Sequence, residues 1–412
     1  MRWRILPLMM VFVALAQFNR YTIMVAGTEK IISDDFISET KMGLVYSAFL
    51  LLYTLFMMPG GWFIDRFGPR AAWLELGFGS VVFVALTGLT GRLWTDPVAL
   101  WVALLVVRAL LGTVNAPLHP TGARLVANWI PPSGVSTANG LLVGAAGAGI
   151  ALTPVIFGPL IDCFGWPDAF LVTAAVTLMV ALVWAVWGKD EPLETTDHPT
   201  HRPARLLTPG QFVLLLKNRS LLYLTASYAL VGYFEYLFFY WAQYYFKDIL
   251  KLPKETSRLY TTILNLAIVP GMILGGWLTD RALSRLGIRR GLACVPFCSL
   301  LLSSLAVVLG LLVRTPEAIL LFFAIAMAAV GATEASFWTT AVHIGGSRGG
   351  TAAGILNTGG NAGGLLAPVF TPVISAILGW QAGFGMAAVV CLGGAVLWLH
   401  IDPNERLEQA EV

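Results

Sequence analysis

The chain has 412 residues and a net charge of +3, and 57% of its residues are hydrophobic whereas only 12% are charged. A soluble globular protein carries roughly 25% charged residues, so this composition, with a mean hydropathy of +0.75, excludes an ordinary soluble domain and predicts a polytopic membrane protein. The small net charge gives no reason to expect nucleic acid as a partner. The sequence shows no nucleotide motif, metal-ligand cluster or nucleophile beside a base, so we expect no enzyme, metal or cofactor.

Twelve apolar segments are long enough to cross a bilayer as helices, which predicts an all-α fold. They lie near 5–28, 42–63, 71–91, 98–127, 136–160, 168–188, 219–246, 257–279, 291–313, 318–343, 351–376 and 382–401. Lysine and arginine are more frequent in the loops on the side of both chain ends, so the positive-inside rule places both termini in the cytoplasm. We expect a monomer in a cell membrane, most simply a bacterial inner membrane.

The first span carries a buried charge, because Arg20 lies in an apolar run that begins near Ile5. An arginine at membrane depth costs at least ~2.5–3.5 kcal/mol on insertion scales, so it faces a bundle interior or a watery cavity and needs negative charge. A bound anion is one source of that charge, and a permanent internal ion pair is another. A third alternative is a side chain that snorkels towards the helix end.

The longest polar interruption runs from 189 to 218 and predicts a cytoplasmic linker between a bundle at 1–188 and a bundle at 219–401. Residues 402–412 are then a cytoplasmic tail. We therefore expect two six-helix bundles.

The two halves repeat each other in sequence. Gly60–Arg66 returns 215 residues later as Gly275–Arg281, and Gly165-Trp166 returns 214 residues later as Gly379-Trp380. Duplicated halves predict pseudo-symmetric bundles with a binding site near the midplane and transport by alternating access.

The same shift of 215 residues relates Arg20 to Glu235 and His119 to Glu334. Our hypothesis is that Glu235 neutralises Arg20 in the empty carrier, and that protonation of Glu235 or arrival of an anion frees the arginine. His119 is the second candidate for proton coupling, since histidine titrates near neutrality. We expect it one turn from Asn115 on one helix face. The alternatives are a fixed counter-ion at Glu235 and a packing histidine at His119.

Four polar aromatic residues on three spans are candidate contacts for the cargo, although such residues are also common at membrane interfaces. They are Tyr46, Tyr53, Tyr228 and Trp338. Arg108 falls nearer a helix end in this reading, and we expect it to be structural.

The stretch from Gly61 to Arg70, GWFIDRFGPR, resembles the loop motif of the major facilitator superfamily. The resemblance implies the twelve-helix major facilitator fold. It also implies that the acid and basic residues of the motif act in gating at the cytoplasmic ends of the helices. Those residues are Asp65, Arg66 and Arg70, with Asp280 and Arg281 in the repeat.

Within that superfamily the chain is similar to the anion:cation symporter group, through Asn19-Arg20, Ser336-Phe337-Trp338 and the glycine-rich stretch 354–364. The resemblance implies a proton-coupled carrier of a sugar acid or other small organic anion. It also implies that Asn357 and Asn361 bond the cargo, where glycines let backbone approach a ligand.

Two acids that this group uses for proton coupling appear here as the amides Asn19 and Asn115. An amide keeps hydrogen bonds to a substrate but does not titrate. Coupling has therefore moved to another residue, or the protein is an uncoupled facilitator or an anion exchanger. A membrane sensor that does not transport is a further alternative, but the chain carries no soluble signalling domain.

Overall fold

A computed structural model describes residues 5–35, 37–130, 135–190, 215, 217–346 and 349–405, without the side chains of residues 65, 135–137 and 350. The regular elements in these ranges are all helical. They are α1 Leu6–Ala26, α2 Glu39–Phe67, α3 Pro69–Leu93, α4 Pro97–Asn115, α5 Leu118–Trp129, α6 Val135–Phe164, α7 Trp166–Trp187, α8 Arg219–Tyr244, α9 Lys254–Leu266, α10 Ile268–Leu312, α11 Pro316–Gly331, α12 Glu334–Gly345, α13 Gly349–Leu378 and α14 Trp380–Trp398.

Local sequence explains where several helices begin. α4 begins with a proline after Asp96, whose carboxylate accepts a hydrogen bond from the backbone N–H of Ala99. Asn218 caps α8 in the same way through the N–H of Leu221. A proline at the first turn needs no N–H, and a capping oxygen satisfies a donor that the helix leaves unpaired.

The twelve predicted spans are confirmed. Among the described residues, eleven helical stretches are long and apolar enough to cross a membrane, and the longest, Lys254–Leu312, has 59 residues. Crossing a bilayer takes about 20 residues, so this stretch is long enough for two spans. Gly287 divides it, with φ 76° and ψ 178°, values outside the helical region. The two parts give twelve spans.

The described residues form two compact units, one from 1–198 with 251–262 and the other from 199–250 with 263–412. Most of the predicted linker lies outside the described residues, so its role stays a prediction. The segment 251–262, which the sequence assigns to the second bundle, packs with the first unit. The division between the units falls inside α9.

Two backbone features recur in both halves at nearly the repeat distance. Gly165 and Gly379 have φ values of 79° and 85°, which only glycine adopts readily, and each separates two spans. The fourth and tenth spans are both broken, between α4 and α5 and between α11 and α12. His119 and Glu334 each lie in the first turn after the break. The repeat seen in the sequence is therefore a repeat of structure.

One expectation about the fourth span is wrong. Asn115 ends α4, Pro117 follows in the break, and His119 belongs to α5. A proline has no N–H to continue the helical ladder, so the chain turns there. Asn115 and His119 consequently do not share one helix face.

Candidate functional site

Arg20 lies in α1 with 6% of its surface exposed. Its guanidinium carbon is 5.3 Å from the ring centroid of Tyr21, 5.0 Å from that of Phe49 and 5.2 Å from that of Tyr53. Each distance is within the range of a cation–π interaction, in which the ring face attracts the cation without neutralising its charge. The predicted charge in the interior of the first span is thus buried within an aromatic cage formed by α1 and α2.

Arg108 holds the backbone of α1 at this cage. Its guanidinium donates to the carbonyl of Asn19 at 3.2 Å and to the carbonyl of Arg20, and its carbon lies 5.7 Å from the ring centroid of Phe49. Arg108 is 1% exposed and lies inside the span Pro97–Trp129. The expectation that it falls near a helix end is wrong. The signal that singled out Arg20, a charge within an apolar run, applies equally to Arg108.

The two amides that replace the usual acids both make hydrogen bonds inside the first unit. Asn19 donates to the hydroxyl of Thr177 at 2.7 Å. Asn115 donates to the hydroxyl of Ser80 at 3.3 Å and to the carbonyl of Leu111 at 2.9 Å. Their amide nitrogens therefore connect neighbouring spans, and cargo contact by Asn19 and Asn115 stays a prediction.

His119 contacts Gln17 of α1, one turn before Arg20. The Gln17 amide nitrogen lies 2.9 Å from His119 Nε2 and donates to it. The other amide atom, Gln17 Oε1, is buried without a hydrogen-bond partner among the described residues, and so is Asn19 Oδ1. Two acceptors within one turn of Arg20 are thus available to a donor from outside the chain.

Tyr46 and Tyr53, the aromatic candidates on α2, are both buried. Tyr53 stacks on Phe49 with ring centroids 5.9 Å apart. The Tyr46 hydroxyl lies 2.2 Å from the place where a Cβ on Gly27 would be, so only glycine fits there. Gly27 opens the π-helical turn Gly27–Ile31 that continues α1.

The candidate residues of the second unit meet at Glu334. One of its oxygens, Oε2, accepts from the Tyr228 hydroxyl at 3.0 Å and from the Trp338 indole nitrogen at 3.0 Å. The other oxygen, Oε1, is buried and has no hydrogen-bond partner among the described residues. Three predicted site residues from α8 and α12 therefore form one cluster.

Glu235 lies in α8, the helix that also carries Tyr228. Its Oε1 is also buried without a hydrogen-bond partner in the described part of the chain. Glu235 belongs to the second unit and Arg20 to the first. The proposed pairing of Arg20 with Glu235 therefore stays a prediction.

The glycine-rich stretch in α13 is a packing surface, and the expectation that its glycines leave room for a ligand is wrong for those that face α8. A Cβ on Gly363 would lie 1.7 Å from the carbonyl oxygen of Ala229, and one on Gly360 would lie 2.7 Å from the Tyr228 ring. These glycines let α8 and α13 approach closely. Nearby, the Asn361 amide donates to the carbonyl of Asn357 at 2.9 Å, so cargo contact by either asparagine stays a prediction.

The structure describes the five predicted gating residues, apart from the side chain of Asp65. Arg66 is exposed, with its guanidinium 5.6 Å from the Trp62 ring centroid. Arg70 donates to the carbonyl of Ala185 at 2.7 Å, which ties α3 to α7 within the first unit.

Asp280 and Arg281, the gating candidates of the repeat, are both exposed. Arg281 lies over the Trp277 ring at 5.3 Å, which repeats the arrangement of Arg66 and Trp62. The gating roles of all five residues stay predictions.

Comparison with known proteins adds three relatives that align with most of the chain. A probable sulfoacetate transporter of Cupriavidus necator is 27% identical, covering 98% of this chain and 94% of its own length. A D-galactonate transporter of Escherichia coli is 26% identical, covering 97% and 95%. A hexuronate transporter of Bacillus subtilis is 26% identical, covering 90% and 86%.

The fold also matches a solved structure, a bacterial homologue of the human lysosomal transporter Spinster in an inward-facing and unoccupied conformation. The TM-score is 0.80 at 16% identity, covering 99% of this chain and 98% of the other. The family model of the Major Facilitator Superfamily matches residues 9–358 and 297–412. The protein therefore belongs to the Major Facilitator Superfamily.

Proposed function

We propose that the protein is a membrane transporter, and not an enzyme, which carries a small organic anion such as a carboxylate or sugar acid by alternating access. The observation that carries the proposal is the buried guanidinium of Arg20 inside its aromatic cage. Relatives named for sulfoacetate, D-galactonate and hexuronate support the anionic class. We place it as a monomer in a bacterial inner membrane, with both termini in the cytoplasm.

The chemistry of the cage suits a carboxylate. A guanidinium presents N–H groups in a planar arrangement that matches the two oxygens of a carboxylate, and charge-assisted bonds of this kind are roughly twice as strong as neutral ones. The rings of Phe49 and Tyr53 exclude water, which strengthens such a bond. The buried oxygens of Gln17 and Asn19 accept hydrogen bonds from hydroxyl groups of the same cargo.

We further propose that transport is coupled to protons through Glu235 and Glu334. Both carboxylates lie within spans of the second unit, where a protonated carboxyl needs no counter-ion. Their buried oxygens without partners leave room for that proton. His119 is the alternative carrier: a proton on its Nε2 turns that atom into a donor, and rotation of the Gln17 amide would present Oε1 to accept from it.

An uncoupled facilitator or exchanger is the second candidate function, and one observation favours it. The positions of the usual proton-coupling acids hold Asn19 and Asn115, whose amides bond to Thr177 and Ser80. These side chains do not titrate. The two candidates differ in whether uptake responds to a proton gradient.

The test of anion transport is uptake into proteoliposomes by wild type and Arg20→Gln. We expect Arg20→Gln to lower uptake of D-galactonate or sulfoacetate by at least about tenfold, since a lost charged hydrogen bond is worth about 1.5–3 kcal/mol. Arg92→Gln is the matched control, because Arg92 pairs with Asp168 and its side chain is 53% exposed. Equal uptake by Arg20→Gln and wild type would show that the anion does not bind at Arg20.

The test of coupling is proton flux during uptake in Glu235→Gln and Glu334→Gln. We expect one or both variants to carry the anion without accumulating it against a gradient. If the rate of uptake by wild type does not change with an imposed proton gradient, the result would favour the uncoupled facilitator.

A further inference from the structure

Asn265 is a buried amide without hydrogen bonds. It lies in α9, one residue before the end of that helix, and is 2% exposed. Neither its Oδ1 nor its Nδ2 has a hydrogen-bond partner among the described residues. A carboxamide offers two donors and an oxygen acceptor, and native proteins rarely bury such a group unsatisfied. The amide is therefore available to a partner other than the described residues.

The position along the helix places Asn265 at the depth expected of a cargo site. It follows Lys254, the first residue of the span, by eleven residues. At 1.5 Å per residue this corresponds to about 16 Å, roughly half of a hydrocarbon core of about 30 Å. A polar side chain at this depth costs free energy and marks a substrate or ion pathway by default.

The backbone beside Asn265 lacks one helical hydrogen bond. α9 ends at Leu266 and α10 begins at Ile268. Pro270 has no N–H, so the carbonyl of Leu266 loses its usual helical donor. Interrupted helices near the midplane expose backbone groups to a ligand in many transporters.

Asn265 continues a polar face of α9. Arg258, Thr262 and Asn265 are spaced four and three residues apart, so their side chains share one side of the helix. Arg258 is fully engaged by carboxylates of the first unit. The Thr262 hydroxyl, like the Asn265 amide, is buried without a partner among the described residues. Along this face, the ion-paired Arg258 is thus followed by neutral hydrogen-bonding groups deeper in the span.

We propose that Asn265 is a cargo-binding residue which hydrogen-bonds a hydroxyl of the carried anion, so that the cargo is a hydroxylated carboxylate of the sugar-acid class. The proposal rests on the transport function proposed above. The neutral amide of Asn265 recognises hydroxyl oxygen atoms of the cargo. A site built to hydrogen-bond a hydroxyl discriminates strongly against an analogue that lacks it, because the buried amide is then left unpaired.

The test compares the dissociation constants of D-galactonate, which carries hydroxyls, and sulfoacetate, which carries none, for the purified full-length protein. The variant is Asn265→Leu, which keeps the branched shape and removes the amide. We expect it to raise the Kd of D-galactonate roughly tenfold or more and to change that of sulfoacetate less than twofold. The melting temperature without ligand should stay the same or rise, since an unsatisfied polar group is replaced by an apolar one.

Thr261→Val is the matched control on the same helix. Thr261 is also buried, but its hydroxyl donates to the carbonyl of Ser257 at 2.8 Å. We expect both dissociation constants to stay within twofold of wild type. Asn265→Ser, which keeps a small polar group, serves as a second variant should Asn265→Leu fail to fold, and it should show the same selective loss.

Three results would overturn the proposal. The first is an unchanged Kd of D-galactonate in Asn265→Leu with a raised melting temperature, which indicates a resident water only. The second is an equal loss of both anions, and the third is tight binding of sulfoacetate alone by wild type. Failure of the transport function itself looks different: Arg20→Gln would then have no effect on either anion.

Discussion

Two buried arginines of the first unit, Arg258 and Arg20, are surrounded by different groups. Arg258 binds Glu29 through Nε at 2.7 Å and Nη2 at 2.6 Å, and binds Asp162 through Nη1 at 2.6 Å. Arg20 lies among the faces of aromatic rings. Fixed carboxylates neutralise a guanidinium permanently, whereas rings stabilise it and leave its charge in place. The first arrangement suits a structural tie, and the ring contacts of the second support the anion site proposed at Arg20.

Sequence position alone does not reveal this difference. Arg258 lies near the start of its span and Arg20 in the middle of its own, yet both are almost fully buried. The partners of Arg258, Glu29 and Asp162, are 229 and 96 residues away in the chain. A charge within a span is visible in the sequence, but the groups that surround it in the folded protein depend on packing. Four predictions test whether the two arginines differ in function as they do in surroundings.

The largest expected effect is on stability and comes from Glu29→Gln. The Glu29 side chain is 1% exposed, and its carboxylate faces Arg258, which is 5% exposed. Removing one partner of a buried ion pair costs about 3–5 kcal/mol, and Asp162, which keeps its own bond to Arg258, sets the loss towards the lower end of that range. We expect the free energy of unfolding to fall by about this amount in a denaturant titration.

Asp168→Asn is the control for that prediction. Asp168 pairs with Arg92, but the two side chains are 37% and 53% exposed, so the pair contributes about 0–1 kcal/mol. A loss for Glu29→Gln no larger than that of Asp168→Asn would contradict a buried structural tie.

The sequence predicted the fold nearly completely. Hydropathy gave twelve spans, and the repeat gave matched halves whose helix breaks and positive-φ glycines recur in the structure. These features are local, because apolar length and glycine or proline at a turn act within a few residues. The break at Pro117 was not predicted, because the fourth span was predicted from the length of its apolar run alone. Proline is the residue that marks the break.

The site was predicted in part. Glu334, Tyr228 and Trp338 were each selected, and they meet in one cluster. The structural role of Arg108 was expected, but its position inside the span was not, and nothing local in the sequence says that its guanidinium reaches the carbonyls of Asn19 and Arg20. The glycines of α13 were misread because a small residue serves close helix packing and ligand approach equally well.

The second prediction exchanges each arginine for lysine. Lysine keeps the charge but loses the planar guanidinium that stacks on rings and binds carboxylates through two N–H groups. We expect Arg20→Lys to raise the Kd of a transported anion by about tenfold, the loss of one charged hydrogen bond. Arg258→Lys should leave that Kd within about threefold and lower the melting temperature instead. The reverse pattern would assign the anion to Arg258.

The third prediction concerns the glycine beneath Arg258. A Cβ on Gly158 would lie 2.1 Å from Arg258 Nε and 2.4 Å from its Cζ, so the guanidinium packs directly against this helix backbone. Gly158→Ala forces the ion pair to shift, and overpacking of this kind costs about 1–3 kcal/mol. Gly144→Ala is the matched control in the same helix, because a Cβ there meets nothing within 4 Å. Equal unfolding free energies in both variants would contradict the close packing.

The smallest expected effect comes from Phe49→Leu, which removes the ring that Arg20 and Arg108 both approach. Leucine keeps an apolar side chain of similar size but has no quadrupole, so the change isolates the cation–π contribution, about 0.5–2 kcal/mol in a desolvated site. We expect the Kd of a transported anion to rise about threefold, because a less firmly held guanidinium binds its carboxylate less well. Phe157→Leu is the control, since Phe157 is equally buried and packs on Phe18 and Phe170. An anion affinity that falls as far in Phe157→Leu would show that the cage acts through general packing, and the contrast between a caged and a paired arginine would then carry no functional meaning.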